Sequence, residues 1–340
     1  MIALLAEEQP DLVAPCLYPL EQEQLLPTLA LACGRWVQET GRRSLVHPGA
    51  FADLSTDKVF FQRTAERRGW PVPAGMVCHD TAALAAAVRR LELPVIIKQA
   101  RSESGQGRWY VEDFGWLDAL SGVAFPLLVQ QVCRGEEFGL ELLTSQGRTL
   151  RWPVASFGRL DAQCRPGWRA RAMPALLPGQ AATMLDSFIQ DVVDAFCPQG
   201  PWQIDFAITD GRLVVLEING RFSGMADLSH AATGTDPYEA FAAVCLGALP
   251  AAPVSRGVAM ELPVQHSASI SSAGAEISIW RQSVTATNRS LPTHVQRTLV
   301  YAESPAELHS WICRWPADSL LIPLSDALMP LERLLSDVSR

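Results

Sequence analysis

The sequence predicts a protein of mixed α/β and α+β class with two or three lobes. At 340 residues the chain is longer than one domain of the usual size, roughly 100–200 residues, so one small domain cannot account for it. Its first 50 residues alternate helix and strand patterns, which indicates part of an α/β unit. From residue 94 onward, short β-rich runs flank small loops, which is typical of antiparallel hairpins.

Composition excludes several classes of protein. Apolar residues make up 48% and charged residues 19%, as in ordinary folded proteins. The net charge of −8 provides no basic surface for nucleic acid or an anionic membrane, so we expect small-molecule partners.

The N-terminus lacks the pattern of a secretory signal and apolar stretches such as 241–254 are too short to span a bilayer, so we expect a cytoplasmic protein. Eight cysteines without a C-x-x-C pair indicate neither zinc nor disulfides.

Helix caps, turn residues and β-rich runs mark the secondary structure. The loop at 101–108 lies between two strands, whereas a P-loop or a Rossmann turn leads from a strand into a helix, and this context argues against both of those. The expected elements are, in order, a helix, strand 11–16 and helix 21–33, a helix from Ser55 or Thr56 to Gly69, a helix from Asp80 or Thr81 to about 92, strands 94–98, 109–112, 127–132, 138–143 and 150–157, a helix over 182–196, two strands within 202–219, and a helix from Asp236 to about 246.

Lysine is almost absent from the chain. Of 28 basic residues only Lys58 and Lys98 are lysine, and the others are arginine. A drift toward arginine should spare positions that require a slim ammonium group instead of a planar guanidinium. Two chance survivors are the alternative explanation. Lys58 falls in the first turn of an expected helix and Lys98 at the end of an expected strand.

The candidate metal site consists of Asp205, Glu217 and Asn219, on two adjacent strands. Period-two alternation puts Glu217 and Asn219 on the same side of their strand. Two carboxylates and one amide are oxygen ligands of the kind Mg²⁺ accepts while it keeps water and phosphate oxygens. A polar face of an edge hairpin explains these three residues equally well. Arg221 follows, and a guanidinium can hold a carboxylate or an acyl phosphate by paired hydrogen bonds.

The turn between these two strands decides whether the candidate ligands share a face. A two-residue loop at 210–211 pairs Asp205 with Leu216 and turns Asp205 away from Glu217. A three-residue loop ending at Gly211, with positive φ there and a G1 bulge, makes Asp205 and Glu217 diagonal neighbours on one face. We therefore predict the bulged three-residue turn.

An ordered set of motifs over roughly residues 55–250 resembles the ATP-grasp superfamily, particularly the branch with carbamoyl phosphate synthetase and biotin carboxylase. Both lysines fall where that family has cations that contact ATP phosphates, which makes chance a poor explanation. In EINGRFSG, Gly220 stands where the family usually has proline. The matching segments are Gly-Trp-Pro-Val-Pro at 69–73, Pro-Val-Ile-Ile-Lys at 94–98, the loop 101–108, LVQQVCRGEEFGLELL at 128–143 and EINGRFSG at 217–224.

The resemblance implies a role for each matched residue. Phosphates meet the two lysines and a glycine-rich lid, adenine meets one side chain and one main-chain segment, and the ribose meets a glutamate. The implied ATP-binding residues are Lys58, Lys98, Ser104, Gly105, Gly107, Gln131, Cys133 and Glu137. The implied ligands of Mg²⁺, or of Mn²⁺ in its place, are Asp205, Glu217 and Asn219, and the implied catalytic residue is Arg221.

The resemblance also implies a domain organisation. Residues 1–54 match a shortened α/β domain about half as long as the family's, either because the chain is naturally short there or because its start is mis-assigned. Residues 55–250 match the ATP-grasp domain, with lobes 55–133 and 134–250. Residues 251–340 are expected to form a small C-terminal α+β domain.

The implied activity is the ATP-dependent joining of a carboxylate to an amine through an acyl phosphate, with ADP and phosphate as products. Two alternatives stay open. One uses bicarbonate as the carboxylate, in a carbamoyl-phosphate-like reaction. The other is a catalytically silent ATP-binding regulatory protein. The sequence names neither the acid nor the amine, and it leaves a homodimer open.

Overall fold

The structure of the protein is a computed structural model that mixes helices and strands along the whole chain. None of the helices in the described part combines the length and the apolar character that crossing a membrane requires. Ser104 and Gly105, two of the expected lid residues, lie outside the described residues. The structure describes residues 2–17, 22–103, 106–113, 115, 120, 122–160, 169–265, 277–285, 295–316 and 318–338.

The elements are numbered in chain order. The helices are α1 (Ile2–Glu8), α2 (Leu26–Thr40), α3 (Gly49–Thr56), α4 (Lys58–Arg68), α5 (Thr81–Leu91), α6 (Gly179–Phe196), α7 (Ala226–Thr233), α8 (Pro237–Cys245), α9 (Pro305–Ile312) and α10 (Leu324–Val338), with a short 3-10 helix at Glu23–Leu25. The strands are β1 (Leu12–Val13), β2 (Arg43–Ser44), β3 (Gly75–Cys78), β4 (Val95–Gln99), β5 (Arg108–Val111), β6 (Leu127–Gln131), β7 (Glu136–Ser145), β8 (Arg148–Arg151), β9 (Ala155–Arg159), β10 (Arg171–Met173), β11 (Gly200–Thr209), β12 (Arg212–Asn219), β13 (Val258–Val264), β14 (Ile277–Thr285) and β15 (Val295–Ala302).

The chain forms two compact units. The division predicted from the sequence, at 54, 133 and 250, stays a prediction. The first unit consists of Met1–Arg134, Leu143–Thr149 and Gln180–Ser223, and the second of Gly135–Leu142, Leu150–Gly179 and Gly224–Arg340.

The first unit contains a four-stranded antiparallel sheet in the order β3-β6-β4-β5. Helix α5 covers one face, where Leu84 of the helix packs with Ile97 and Val129 of the strands. Because side chains alternate along a strand, Lys98 lies on the other face of the sheet. The expected hairpin around 101–108 is confirmed by the antiparallel pairing of β4 with β5.

The start of the chain contains the α/β piece that the alternating pattern predicts. Strands β1 and β2 pair in parallel, and α1 packs near α2 around Leu5, Leu26 and Trp36. Helix α3 was not expected, because its residues 49–56 were assigned to an irregular connection and to the cap of the next helix. That cap is Asp57, whose carboxylate accepts hydrogen bonds from two backbone N–H groups at the start of α4.

The second unit contains strands hydrogen-bonded in the order β7-β9-β10-β13-β15-β14, all antiparallel. Helices α9 and α10 bury Leu308, Trp311 and Leu331 in the same apolar cluster as side chains of β13 and β15. Helix α7 packs Leu228 with Met173.

The β11–β12 hairpin departs from the predicted turn. Its loop has two residues, Asp210 at φ 51° and Gly211 at φ 75°, so the predicted three-residue loop was wrong although Gly211 has the expected positive φ. Two successive positive φ angles are the mark of a type I′ turn. The bulge lies further along, where Leu216 is the extra residue, and it shifts the pairing so that Asp205 is directly opposite Glu217.

Candidate active site

The polar face of the β11–β12 hairpin brings the three candidate metal ligands together. Directly opposed residues of an antiparallel pair share a face, so Asp205 and Glu217 point to the same side, as do Gln203 and Asn219 two positions along. The Asn219 amide donates to one oxygen of Asp205 at 3.2 Å and the Gln203 amide to the other. Two amides therefore orient the Asp205 carboxylate.

Arg221 follows the end of β12 and is held by a residue that the sequence did not point to. Its Nε donates to Oε2 of Glu23 at 2.8 Å, and the backbone N–H of Gly220 donates to the other oxygen of Glu23 at 3.0 Å. The Glu23 side chain is 3% exposed and that of Arg221 is 11% exposed. The Arg221 Nη2 also donates to Oδ1 of Asn219 at 3.3 Å, which links the arginine to the ligand set.

Both lysines reach the same place. Lys58 begins α4 and Lys98 lies near the end of β4, where the sequence placed them. The two side chains line one small cavity together with Glu217. Within the described residues, neither the Lys98 ammonium nor the Glu217 carboxylate has a hydrogen-bond or ion-pair partner within 4.0 Å, although both are partly buried.

The electrostatics of this cavity follow from the crowding of cations around one carboxylate. Burial alone raises the pKa of the Glu217 carboxyl, but four nearby cations hold it below its usual value of 4.5. Burial lowers the pKa of Lys98 to about 8, and the Glu217 charge opposes that change. Positive charge at a cavity is what the phosphates of a nucleotide bind. The four cations are Lys58, Lys98, Arg108 and Arg221.

The expected lid loop is anchored at its start. The carbonyl of Ser102 accepts from the Lys58 ammonium at 2.5 Å, and Oε1 of Glu103 accepts from the backbone N–H of Gln24 at 3.0 Å. Gly107 has φ 57°, and a Cβ there would collide with the Gln99 side chain. Glycine is therefore needed at 107 for a reason of local geometry, whatever the residue binds.

The residues expected to meet adenine and ribose make other contacts in the structure. The Gln131 side chain donates to the carbonyl of Leu91 at 3.2 Å, at the end of the helix that covers the opposite face of the sheet from Lys98. Cys133 lies close enough to Lys98 for a thiolate there to raise the pKa of that lysine. Glu137 belongs to the second unit, where it forms an ion pair with Arg169 at 2.5 Å.

Three residues near the cavity were missed by the sequence reasoning. Gln203 had a signal, since it lies two positions before Asp205 on the same strand face. Arg108 had one too, because hairpin register places it opposite Lys98. Glu23 had none, since it is 198 residues away from Arg221 along the chain.

Known proteins resemble this chain in sequence and in fold. No family model matches the chain. The large chain of carbamoyl phosphate synthase from Kineococcus radiotolerans is 25% identical over 244 residues, which is 68% of this chain and 22% of that protein. The chain therefore spans about a fifth of the length of the curated relatives it matches.

Solved structures match most of the chain. The biotin carboxylase domain of the Hydrogenobacter thermophilus 2-oxoglutarate carboxylase, a dimer in complex with Mg·ADP and bicarbonate, has a TM-score of 0.67 at 14% identity, over 93% of this chain and 76% of that one. The L-amino acid ligase of Bacillus licheniformis has a TM-score of 0.67 at 18% identity, over 91% and 79%. The chain has the ATP-grasp fold. Within the ATP-grasp fold of this chain, the polar face of β11–β12 and the two lysines belong to the first unit.

The residues present fit a magnesium nucleotide. Among the described residues there is no group of three His, Cys, Asp or Glu side chains that could hold a metal ion alone. Two carboxylates and an amide leave several coordination positions to phosphate and water oxygens, which suits Mg²⁺. The Lys98 ammonium and the Glu217 carboxylate, both without partners in the described residues, supply the charges that the phosphates and the metal would meet.

Proposed function

We propose that this protein is an ATP-dependent ligase that activates a carboxylate as an acyl phosphate and transfers the acyl group to an amine. One observation carries the proposal: Lys58, Lys98 and Glu217 line one cavity, and Glu217 lies on a hairpin face that also carries Asp205 and Asn219. Charges of both signs without direct partners are costly unless a ligand uses them. A magnesium nucleotide uses both signs at once.

The proposed reaction has two steps. An oxygen of the substrate carboxylate attacks the γ-phosphorus of ATP, the bond to the ADP oxygen breaks, and ADP leaves. The amine nitrogen then attacks the acyl carbon, phosphate leaves with the bonding electrons, and the ammonium proton is lost. Both steps develop negative charge on phosphoryl oxygens, so positioned cations lower both barriers.

The residues of the chain divide this work. Lys58 and Lys98 hold phosphate oxygens, and Lys58 exchanges its hydrogen bond with the Ser102 carbonyl for a phosphate when the nucleotide binds. Asp205, Glu217 and Asn219 would hold Mg²⁺, or Mn²⁺ in its place, and the bound metal would supply positive charge beside the transferred phosphoryl group. Arg221 donates hydrogen bonds to the phosphoryl group as it moves to the acid. The expected contacts of Ser104, Gly105, Gly107, Gln131, Cys133 and Glu137 with ATP remain part of the proposal.

The substrates and setting are part of the same proposal. The likeness to an L-amino acid ligase supports an amino acid as one substrate, and the likeness to carbamoyl phosphate synthases supports bicarbonate as an alternative acid. We place the reaction in the cytoplasm. The dimeric biotin carboxylase domain supports a homodimer for this chain. Light scattering of the purified protein measures its molar mass and tests this.

The test is a matrix assay with Mg·ATP. Each of a panel of acids, including bicarbonate and the common amino acids, is combined with each of a panel of amines, and released ADP and phosphate are measured. Hydroxylamine in place of the amine traps an acyl phosphate as a hydroxamate. We expect equal ADP and phosphate release that needs an acid. Nucleotide affinity without turnover in any combination would instead support a silent binding protein.

A further inference from the structure

The contact between Glu23 and Arg221 joins two distant parts of the sequence in the first unit. Both oxygens of Glu23 are used, one by the Gly220 N–H at 3.0 Å and one by Arg221 Nε at 2.8 Å. Glu23 is 2% exposed, so it is bound in a fixed geometry out of reach of bulk water. Hydrogen bonds between charged groups are shorter and stronger than neutral ones and favour one orientation.

Gly220 favours the contact between Glu23 and Arg221 for two reasons. A Cβ at Gly220 would lie 2.6 Å from the Leu26 side chain and 2.7 Å from the Ser55 hydroxyl, so a larger residue there would have to displace side chains at the start of α2 and near the end of α3. The backbone N–H of Gly220 is also the second donor to Glu23. Proline, the usual residue of the resembling family there, has no N–H to donate. Glycine at 220 and glutamate at 23 therefore belong together.

The hydrogen bonds of Arg221 leave a defined set of donors. A guanidinium has five N–H groups. Within the described residues Glu23 takes the Nε–H, Asn219 takes one N–H of Nη2, and the carbonyl of Phe222 takes one of Nη1 at 3.1 Å. One N–H remains on each terminal nitrogen. Two donors in one plane match two oxygens of a carboxylate or of a phosphoryl group.

We infer that Glu23 is a positioning residue for the proposed reaction, which holds the plane of Arg221 so that its two remaining N–H groups face the phosphoryl group in transfer. This inference rests on the proposed function. Glu23 cancels the charge of Arg221, so the arginine contributes directed hydrogen bonds while the two lysines supply the net positive charge. Position matters because misplacement by about 1 Å can cost about 100-fold in rate.

Two substitutions of Glu23 change different properties: glutamine removes the charge and keeps the size, whereas aspartate keeps the charge and shortens the side chain. In Glu23→Gln the amide NH₂ faces either Gly220 N–H or Arg221 Nε–H, so one donor loses its acceptor. Glu23→Asp keeps the charge, but its shorter side chain cannot reach both donors. We expect turnover to fall about tenfold or more in E23Q, as one charged hydrogen bond is lost, and less in E23D.

The test uses the full chain with the acid and amine found active in the matrix assay. E23Q, E23D, R221A and E23Q/R221A are compared with Glu39→Gln, a matched change at an exposed position of α2. We expect a lower kcat in E23Q and unchanged affinity for Mg·ADP. We also expect no further loss of kcat when E23Q is added to R221A, because Glu23 acts through that arginine. If circular dichroism shows that E23Q is unfolded, E23D takes its place in the same comparisons.

The outcomes are distinguishable. Wild-type kcat in folded E23Q, or equal losses from E23Q with and without Arg221, would overturn the positioning role and leave the proposed function intact. Mg·ADP binding by the wild type with no turnover in any combination would overturn the proposed function, and the positioning role with it.

Discussion

Charged side chains are used differently in the two units of this protein. In the second unit two carboxylates below the surface have charged partners: Glu137 pairs with Arg169 at 2.5 Å, and Glu136 contacts Arg333 and the Ser156 hydroxyl. In the first unit the partly buried Lys98 and Glu217 line one cavity, yet neither has a direct partner among the described residues.

The difference separates two reasons for placing a charge below the surface. A matched pair satisfies its own hydrogen bonds, and its removal costs stability. A charge that faces a cavity without a partner lowers stability unless a ligand completes it, and such places are often functional. Glu23 and Arg221 serve both purposes. They form a matched pair, and two N–H groups of Arg221 stay available for a ligand.

The largest expected effect is from Glu217→Gln, which tests the unpaired half of the comparison. A neutral amide is a poorer ligand for Mg²⁺, and it removes the charge that four cations surround. Turnover should fall roughly 100-fold or more, because changes outside the ligand set already cost about 10–100-fold. The assay is ADP release at several Mg²⁺ concentrations. Wild-type turnover at limiting Mg²⁺ would remove Glu217 from the metal site.

His47 is a buried titratable residue of the first unit whose hydrogen bonds are satisfied, so we expect it to affect stability and not catalysis. It lies in the first unit but is fully partnered: its ring nitrogens contact the carbonyl of Pro201 at 2.9 Å and the backbone N–H of Gln199 at 3.0 Å. A neutral ring with the proton on Nε2 satisfies both contacts. Burial lowers its pKa to about 4 from 6.5.

The sign of the resulting pH effect is fixed by these two values. Between pH 6.5 and about 4 the unfolded chain binds a proton at this residue that the folded chain does not, so acid favours unfolding. The free energy of unfolding should fall by about 3 kcal/mol over that range. Urea unfolding at pH 7.5 and 4.5 measures it, with His47→Gln as the comparison. An equal decrease in the variant would assign the effect to other groups.

Lys98→Ala should weaken nucleotide binding and leave the fold intact. Hydrogen bonds to charged groups contribute about 1.5–3 kcal/mol, so affinity for Mg·ADP should fall about 10–100-fold. Lys98→Arg should recover only part, because a planar guanidinium needs more room than an ammonium. Calorimetric titration gives both affinities. Full affinity in the alanine variant would return Lys98 to the class of chance survivors.

Glu136→Gln tests the matched half of the comparison in the second unit. The amide oxygen can still accept from Ser156, but the amide NH₂ faces the Arg333 guanidinium. Because the Arg333 side chain is 44% exposed, the loss should be only about 1–2 kcal/mol of stability. Thermal unfolding measures it, and kcat should stay at the wild-type value. A loss of turnover in the folded variant would mean that paired charges there also serve the reaction.

How far the sequence predicted this site depends on whether the signal was local. Lys58 at a helix start, Lys98 at a strand end and the Glu-x-Asn alternation are patterns of a few residues, and all were found. Glu23 was not, because its contact with Arg221 is made only by the folded chain. The matched pairs of the second unit escaped for the same reason, since an arginine carries no mark of its partner.

The hairpin shows a subtler limit. The expectation that Asp205 and Glu217 share a face was met, but through a bulge at Leu216 and not through the predicted turn. Turn residues such as Asp-Gly report the loop, whereas an extra residue inside a strand depends on packing along its whole length. Register therefore could not be derived from the turn alone.

The smallest expected effect, from Gly211→Ala, tests that conclusion about register. Gly211 has φ 75°, and no atom lies within 4 Å of a Cβ built there, so the only cost is backbone strain. A left-handed conformation costs a residue with a Cβ roughly 1–2 kcal/mol, so stability should fall by about 1 kcal/mol. The bulge at Leu216 lies between the turn and the site, and it resets the pairing before Glu217 is reached. Turnover should therefore stay within about twofold of wild type at a temperature where the variant is folded, since no site contact is removed. Thermal unfolding and kcat are measured on the same preparation. If turnover falls in step with stability while the chain is still folded, the turn and not the bulge sets the position of Asp205 against Glu217.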